Sequence, residues 1–540
     1  MTRPPAYYLT TPIYYVNDLP HIGHAYTSLA CDVLARFMRA DGHDVMFLTG
    51  TDEHGQKVEK SAQAAGIAPQ AFVDSVSQRF RDLGGVMGYS NDDFIRTTEP
   101  RHIAACQEIW RRIAANNAPG TDQSNIYLGK YDGWYSVRDE AFYAESELLT
   151  DDASGARVAP SGAPVEWVEE PSYFFRLSAW QEPLLKFYEE NPDFIAPESR
   201  RNEVMSFVRS GLLDLSISRT SFSWGVPVPG DDKHIMYVWL DALTNYITAA
   251  GFPDENKPSW KTYWPADLHM VGKDILRFHA VYWPAFLMAA GVAPPKRVYA
   301  HGWWTNEGQK ISKSLGNVID PLQIVDEYGL DPVRYFLLRE VPFGNDGDFS
   351  HRAMVGRVNN DLANDLGNLA QRTLSMIAKN CDGAVPSFAA AEADGASFAS
   401  RESLDASRDL IEKVRDTIAR QAFHEALEQV WQVVRAANRT IDTDEPWKLR
   451  KSDPASMEAV LWLQAETIRH IAILLRPFMP GAMDAMLDQL GVAAEARDFS
   501  SLSAVNVLAD GHSLVPGTAL PKPTPVFPRY VETEVEGEGS

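Results

Sequence analysis

The first sixty or so residues change their hydrophobic period twice. Tyr7 to Ile13 is a β-prone run; Leu29, Val33 and Phe37, flanked by Ala30, Leu34 and Met38, then recur at helical spacing. That spacing predicts an amphipathic helix over roughly residues 23–40. Gly42 ends it, and Val45 to Thr49 reads as a second short strand. Strand, helix, strand in this order predicts a parallel pair joined by a right-handed crossover. Further helical patterns follow at about 55–65, 69–83 and 99–116.

The pattern then breaks. Residues ~118–172 hold Gly129-Lys130-Tyr131-Asp132-Gly133, the polar run Thr150 to Ala156 and the Pro/Gly-rich Pro160 to Pro164, which predicts an inserted, loop-rich module with short strands. Alternating signals return with a strand at Leu268 to Val271, a helix from Asp274 to Ala290 stopped by Gly291, and a strand from Arg297 to Thr305 that ends in a turn at Asn306-Glu307-Gly308. Beyond about 351 the pattern is almost wholly helical, including Gln421 to Ile441 and Met457 to Leu475, with an Ala/Asp/Ser-rich loop expected over 383–403. The expected class is α/β, a doubly wound parallel-sheet (Rossmann-like) domain with an inserted module and an all-α C-terminal bundle. The divisions are 1–117 and 216–300 for the two halves of the α/β domain, 118–215 for the insertion, and 301–350 for a polar-loop region. Residues 351–530 form the bundle, and 531–540, acidic and Gly-containing, form a disordered tail.

Composition narrows the class. With 540 residues and 45% hydrophobic content, the chain can bury several cores. No apolar stretch approaches the about 18 residues of a membrane span, and the N-terminus MTRPPAYYLTTPI lacks the basic-then-apolar pattern of a signal peptide. Three dispersed cysteines, Cys31, Cys106 and Cys381, suit a reducing cytoplasm and form no C-x-x-C knuckle. A net charge of −23 argues against nucleic acid on average, yet Arg352 with Arg357, Arg435 with Arg439, and Lys448 with Arg450 and Lys451 leave room for a local basic face. Such clusters are more often ordinary solvated surface.

Two short motifs carry candidate chemistry. His21-Ile22-Gly23-His24 falls between the first strand and the first helix. A helix N-terminus favours phosphate through its exposed N–H groups and partial positive charge. Gly23 lets an anion approach the backbone, and two imidazoles can donate to phosphate oxygens. Asp52 lies just past the second strand, so it faces the same crevice at the strand ends. Lys310-Ile311-Ser312-Lys313-Ser314, between Gly308 and Gly316, sets two ammoniums three residues apart in a polar segment suited to polyphosphate. Either motif alone is weak; a His-x-x-His four-mer or a basic loop is usually just surface.

Together they resemble the paired signatures of class I aminoacyl-tRNA synthetases, with Ile311 in the Met position of the Lys-Met-Ser-Lys-Ser signature. Further segments are similar to the methionine enzymes of that class: Thr11-Pro12-Ile13-Tyr14-Tyr15, Gly50-Thr51-Asp52-Glu53-His54-Gly55, Tyr237-Val238-Trp239-Leu240-Asp241-Ala242, and Gly272-Lys273-Asp274-Ile275 with Phe278-His279. In the C-terminal third, Asn364, Asn368-Leu369-Ala370-Gln371-Arg372, Glu445-Pro446-Trp447 and Phe527-Pro528-Arg529 extend the resemblance to about residues 6–530.

The resemblance implies activation of methionine by ATP to methionyl-adenylate and pyrophosphate, then transfer to the 3′ end of initiator and elongator methionine tRNA. It assigns charge stabilisation on the phosphates to His21, His24, Lys310 and Lys313, and ATP contacts to Gly23, Asp274, Ser312 and Lys313, with Mg²⁺ accompanying ATP. Asp274 could equally be a helix cap. Asp52 would pair with the substrate ammonium, and Ile13, Tyr15, Trp239, Ala242, Tyr246, Ile275 and His279 would line the side-chain pocket. Leu243 stands where some relatives have Pro. Asn368, Arg372 and Trp447 would read the CAU anticodon, although Trp447 could instead pack between helices. A ring-lined pocket suits a thioether, since sulfur–aromatic contacts contribute about 0.3–1.5 kcal/mol each. A cytoplasmic monomer, free of membrane contact, is the expected setting.

One departure stands out. Many relatives carry zinc knuckles in the insertion, but Ser136 and Asp139 occupy the first cysteine pair's place and no cysteine lies between Cys106 and Cys381. No metal is therefore expected in the module. Three other readings remain open: a synthetase for leucine, isoleucine, valine or cysteine, a smaller kind of nucleotidyltransferase, and an inactive RNA-binding paralogue. The short insertion, the helical last third and the intact His21, His24, Lys310 and Lys313 weigh against them in turn.

Overall fold

The computed structural model describes residues 4–16, 20–139, 141–143, 145–151, 154–311, 317–392, 397–502 and 513–532. The chain divides into two compact units: Ala6–Cys31 with Val45–His301, and Met1–Pro5 with Asp32–Asp44 and Gly302–Ser540.

The first unit is built on a seven-stranded sheet. Strands β1 (Ala6–Thr10), β2 (Tyr14–Tyr15), β3 (Asp44–Asp52) and β4 (Asp93–Arg96) supply its first part. The order runs Ile195–Ala196, Val298–His301, Leu268–Gly272, β1, β3, β2, with β4 also paired to β3. β1 and Leu268–Gly272 pair in parallel, as do β3 and β4. Leu268 to Val271 and Val298 to His301 are buried at every position. That pattern is expected where a parallel sheet is covered on both faces. Helix α1 (Ile22–Ala40) connects β1 and β2 to β3 as the sequence predicts, and α2 (Gln56–Ala64), α3 (Pro69–Met87) and α4 (Pro100–Ala115) lead to and from β4. The core gathers Tyr8, Ile109, Phe175, Tyr188, Trp283 and Phe286. Truncating a ring such as Trp283, which is fully buried, to Ala costs about 3–5 kcal/mol.

Three elements differ from the sequence reading. The insertion has the expected short strands at Ala141–Tyr143, Leu149–Thr150 and Arg157–Val158, but its frame is longer: Ile126–Ser136 and Glu166–Phe175 form one long antiparallel pair, in register from Ile126↔Phe175 to Tyr135↔Glu166. Much of Glu166–Phe175 is solvent-exposed, so its charged positions, like Gly129 and Gly133 of the partner strand, imitate a loop. The helical run expected over Asp274 to Ala290 is continuous, but its hydrogen-bond period changes along it. A 3₁₀ turn at Lys273–Ile275 and a π-type segment at Phe278–Tyr282 precede the α-helix Trp283–Ala289. Pro284 has no N–H for a regular i→i−4 bond. The strand expected over Arg297 to Thr305 is two strands: Val298–His301 completes the large sheet, while Trp304–Asn306 pairs with Gly347–Phe349 and Gln309–Lys310.

The second unit is mainly helical. Its long helices Phe423–Asp444 and Pro454–Leu475 match the expected helical runs, and the latter is buried at every position from Ala459 to Leu475. The loop expected over 383–403 is shorter, because helix Ala399–Arg408 starts inside it with Asp444 accepting from the Ala399 and Ser400 amides. Asp32 and Arg334 form a fully buried pair at 2.7 Å, and Arg334 also donates to the Phe478 and Pro477 carbonyls. The acidic tail lies, from residue 533, outside the described residues. No helix among the described residues is long and apolar enough to cross a membrane.

Candidate active site

Helix α1 begins with its two histidines capping each other's turn. The His21 carbonyl accepts from the His24 and Ala25 amides, which makes His21 the cap residue. His24 Nδ1 accepts from the His21 amide at 3.1 Å, and His21 Nδ1 accepts from the Gly23 amide at 3.1 Å. This is the reciprocal logic of a capping box, written with imidazoles. Because both Nδ1 atoms accept, both rings carry their proton on Nε2 and keep an N–H donor there. The rings lie 3.9 Å apart, and a Cβ at Gly23 would come to 3.0 Å from the His21 ring, so a larger residue there would push that ring aside. Burial, then the neighbouring His21, holds the His24 imidazole well below its usual pKa, so it remains neutral. A neutral donor pair at a helix N-terminus can stabilise charge developing on phosphate.

Asp52, buried, is the last residue of β3 and pairs in register with Tyr15. Its neighbours are pinned. Glu53 accepts from Thr51, Arg96 and Thr98, and the Trp224 indole donates to the Glu53 carbonyl.

Across the sheet, Trp239 and Ala242 sit three apart on the short helix Val238–Leu243, and Tyr246 follows on the helix Asn245–Ala250. Trp239 stacks on Phe278 at 3.6 Å and meets His279 edge-on at 6.4 Å. His279 Nδ1 donates to the Ile275 carbonyl at 2.9 Å, which fixes the tautomer and makes Nε2 the acceptor for Tyr246 Oη at 2.7 Å. Burial lowers the His279 pKa to about 4, only partly offset by that carbonyl and by Asp274. Burial, with Asp52 among the lesser contributors, pushes the Tyr246 phenol well above its usual range, so it stays a donor. The result is a neutral, aromatic cluster with the Asp52 carboxylate close enough to act on the Tyr246 phenol.

Ile13, Trp239, Tyr246 and Ile275 therefore belong to one apolar cluster, with Ala242 and His279 beside them in the chain. Tyr15 does not join it; it packs with Tyr14, Val58 and Phe80, with Lys57 5.6 Å from its ring centre. Asp274 is exposed in the turn Lys273–Ile275, at the C-terminal end of the strand Leu268–Gly272. Asp52, Tyr15 and Asp274 thus all sit at the C-terminal ends of sheet strands, where open α/β sheets bind ligands.

Sequence reading missed several residues. His54 and Asp241 lie 2.7 Å apart, and Asp241 also meets His102 at 2.7 Å. Both His54 and Asp241 stand inside segments singled out above, but periodicity cannot pair residues so distant in the chain. Phe278 was noted only as a neighbour of His279.

In the second unit, Glu307 and Gly308 have φ of 49° and 76°, the paired positive values of a type I′ turn between Trp304–Asn306 and Gln309–Lys310. The Lys310 side chain, Ser312 and Lys313 lie outside the described residues. Further along, Asn368 is exposed at the start of helix Asn368–Asn380, and Arg372 stands one turn later. Arg372 lies 5.7 Å from the Trp447 ring centre and pairs with Asp442 at 2.5 Å. Trp447 is 40% exposed, so it is not a core residue. Arg357 and Arg435 are engaged by Glu340, Asp361, Asp365 and Glu428.

At the insertion's tip, the Asp139 amide donates to Ser136 Oγ at 3.2 Å, while Tyr143 and Ser161 donate to the Asp139 carboxylate. Hydrogen bonds thus join the positions where the resemblance places a cysteine pair. Elsewhere, His102, Cys106 and Asp241 form a buried cluster of metal-capable atoms.

Comparison with known proteins agrees with this layout. Residues 7–374 match the family described as tRNA synthetases class I (M), and residues 393–535 match the anticodon binding domain of methionyl tRNA ligase. A methionine–tRNA ligase of Mesorhizobium japonicum is 58% identical over 527 residues, covering 97% of this chain and 98% of its own. That of Brucella suis biovar 1 is 56% identical over 529 residues, covering 98% of each chain. A structure of Mycobacterium tuberculosis methionyl-tRNA synthetase in complex with methionyl-adenylate superposes with a TM-score of 0.91 at 51% identity, covering 98% of this chain and 100% of that one.

Proposed function

The chain belongs to the methionine-specific class I tRNA synthetases, an ATP-dependent ligase family, and on that premise we propose how its residues divide the work. The methionine carboxylate attacks the ATP α-phosphorus, pyrophosphate leaves, and the tRNA 3′-terminal hydroxyl then takes the aminoacyl group as AMP departs. His21 and His24 offer their Nε2–H groups to the charge that develops on the phosphates. Lys313, supported by Lys310, meets the leaving pyrophosphate, and Gly23, Asp274 and Ser312 help seat ATP, which enters with Mg²⁺ as its counter-ion. Catalysis of this kind works through positioning and electrostatics.

Asp52 receives the ammonium of methionine, and Ile13, Trp239, Ala242, Tyr246, Ile275 and His279 enclose its side chain, with Tyr15 reaching it from the neighbouring cluster, in register with Asp52. The observation that carries this reading is the neutral wall of Trp239, Tyr246 and His279, with the Asp52 carboxylate close enough to influence Tyr246. A thioether needs no charge in its wall, whereas its ammonium does need one nearby. The methionyl-adenylate held by the tuberculosis relative supports the same reaction here. Asn368, Arg372 and Trp447 receive the anticodon of methionine tRNA, initiator and elongator alike, and the enzyme works as a cytoplasmic monomer without zinc.

Calorimetric titration of methionine tests the pocket. A hydrogen bond to a charged group contributes about 1.5–3 kcal/mol, so Asp52→Ala should weaken methionine binding by roughly 10- to 150-fold and leave ATP binding within about twofold. Undiminished methionine affinity would overturn the assignment.

A further inference from the structure

Asp241 is an unusual group to find in this position. Trp239 and Ala242, three residues apart, share one face of the helix Val238–Leu243, and Asp241 projects from the other side. Its carboxylate is fully buried. Oδ2 meets His54 Nδ1 at 2.7 Å, and Oδ1 meets His102 Nε2 at 2.7 Å. Burial alone would raise its pKa, but His54 and His102 reverse that and hold the carboxyl well below the usual range. The group is therefore an anion with a fixed partner at each oxygen.

Hydrophobic residues pack a helix at least as stably as a buried charge does. What a buried charge with two directional partners adds is orientation. The two partners come from informative places. His54 lies two residues after Asp52, on the segment that leaves β3, and the Gly55 amide and the Glu53 carbonyl on that segment are both tied to Trp224. His102 lies in the first turns of α4. One carboxylate thus joins the chain that presents Asp52 to the helix that presents Trp239.

Resting on the methionine reading above, we propose that Asp241, held between His54 and His102, is a positioning residue that sets the spacing of ammonium partner and aromatic wall in the methionine pocket. Its ties define where Asp52 stands relative to Trp239 and Ala242. Loosening them enlarges or skews the pocket for methionine without touching the ATP site.

The same cluster could be read as a metal cage of His102, Cys106 and Asp241. The spacing argues against it. Ligand atoms about 2.0–2.1 Å from a tetrahedral ion lie about 3.3 Å apart, whereas His102 Nε2 and Asp241 Oδ1 are at hydrogen-bond distance, 2.7 Å.

Pyrophosphate-exchange kinetics on the full chain, with KM measured separately for methionine and ATP, test the proposal. His54→Ala and Asp241→Asn should raise the methionine KM at least tenfold while the ATP KM stays within twofold. His54→Asn, which keeps a donor near the Nδ1 position, should recover to within threefold of wild type. Melting temperature is followed in parallel, and His102→Gln supplies a second conservative probe should an alanine variant not fold. A methionine KM unchanged in folded variants overturns the proposal, as does a parallel loss of both KM values and thermal stability that His54→Asn does not repair. So does stoichiometric metal in the wild type that Cys106→Ser removes. A wild type without any methionine-dependent exchange is a different failure: it sinks the methionine reading itself, and the inference with it.

Discussion

Replacing Trp447 with Ala separates the two halves of the proposed reaction. The indole is 40% exposed and stands at the start of the short helix Pro446–Ser452, with the Arg372 guanidinium 5.7 Å from its ring centre. Arg372 is itself braced by Asp442 at 2.5 Å, so the ring and the guanidinium form a fixed, solvent-facing pair. Proteins hold splayed loop bases on such surfaces. Stacking is worth about 1–3 kcal/mol per base, which corresponds to roughly 5- to 150-fold in binding. Removing an exposed ring should cost the fold no more than about 1 kcal/mol. Trp447→Ala should therefore lower tRNA charging by about one to two orders of magnitude, while methionine-dependent pyrophosphate exchange and melting temperature stay near wild type. The assays are charging of methionine tRNA at subsaturating concentration, exchange without tRNA, and a thermal melt. Charging within threefold of wild type would place the anticodon contact elsewhere. Loss of exchange and stability together would make Trp447 a packing residue.

Three further expectations accompany it. Lys313→Ala should depress pyrophosphate exchange by the about 2.7–4 kcal/mol typical of losing one donor to developing charge, with methionine affinity unchanged; exchange within threefold of wild type would show the loop misassigned. His279 is held neutral, its pKa lowered from 6.5 to about 4 by burial, so its contribution to stability is complete above pH 6.5 and is lost as the pH falls toward 4. At about 1.4 kcal/mol per pH unit this is about 3 kcal/mol, and His279→Gln should flatten the denaturation profile over that window; identical profiles would contradict it. Purified protein should contain no stoichiometric zinc, because Ser136, Asp139, Tyr143 and Ser161 close the insertion's tip with hydrogen bonds; one zinc per chain by elemental analysis would refute this.

The legible parts of the fold were those with a strong local period. Leu29, Val33 and Phe37 gave away α1, and Val45 to Thr49 lies within β3, because a helix stripe and a short apolar strand imprint directly on sequence. The failures have common causes. Gly129 to Gly133 looks like a turn, but it lies in a long strand paired with Val168 to Ser172, where cross-strand partners override local propensity. Arg297 to Thr305 reads as continuous, but its two parts find different partners, and pairing is a tertiary choice. At the site, Asp52 and the His21/His24 pair could be placed because each adjoins a recognisable strand or helix end. The tie between His54, Asp241 and His102 could not, since its members stand 139 and 187 residues apart and only the folded sheet brings them together.

Of the standard amino acids, this chain should activate methionine and no other. ATP–pyrophosphate exchange measured with each of the twenty standard amino acids in turn tests it most directly. Exchange is expected with methionine alone, with homocysteine, one methyl group smaller, the strongest competitor when added as a further arm, because a single such group alters binding by only about 1–3 kcal/mol. Robust exchange with leucine, isoleucine, valine or cysteine, or none with methionine, would contradict it.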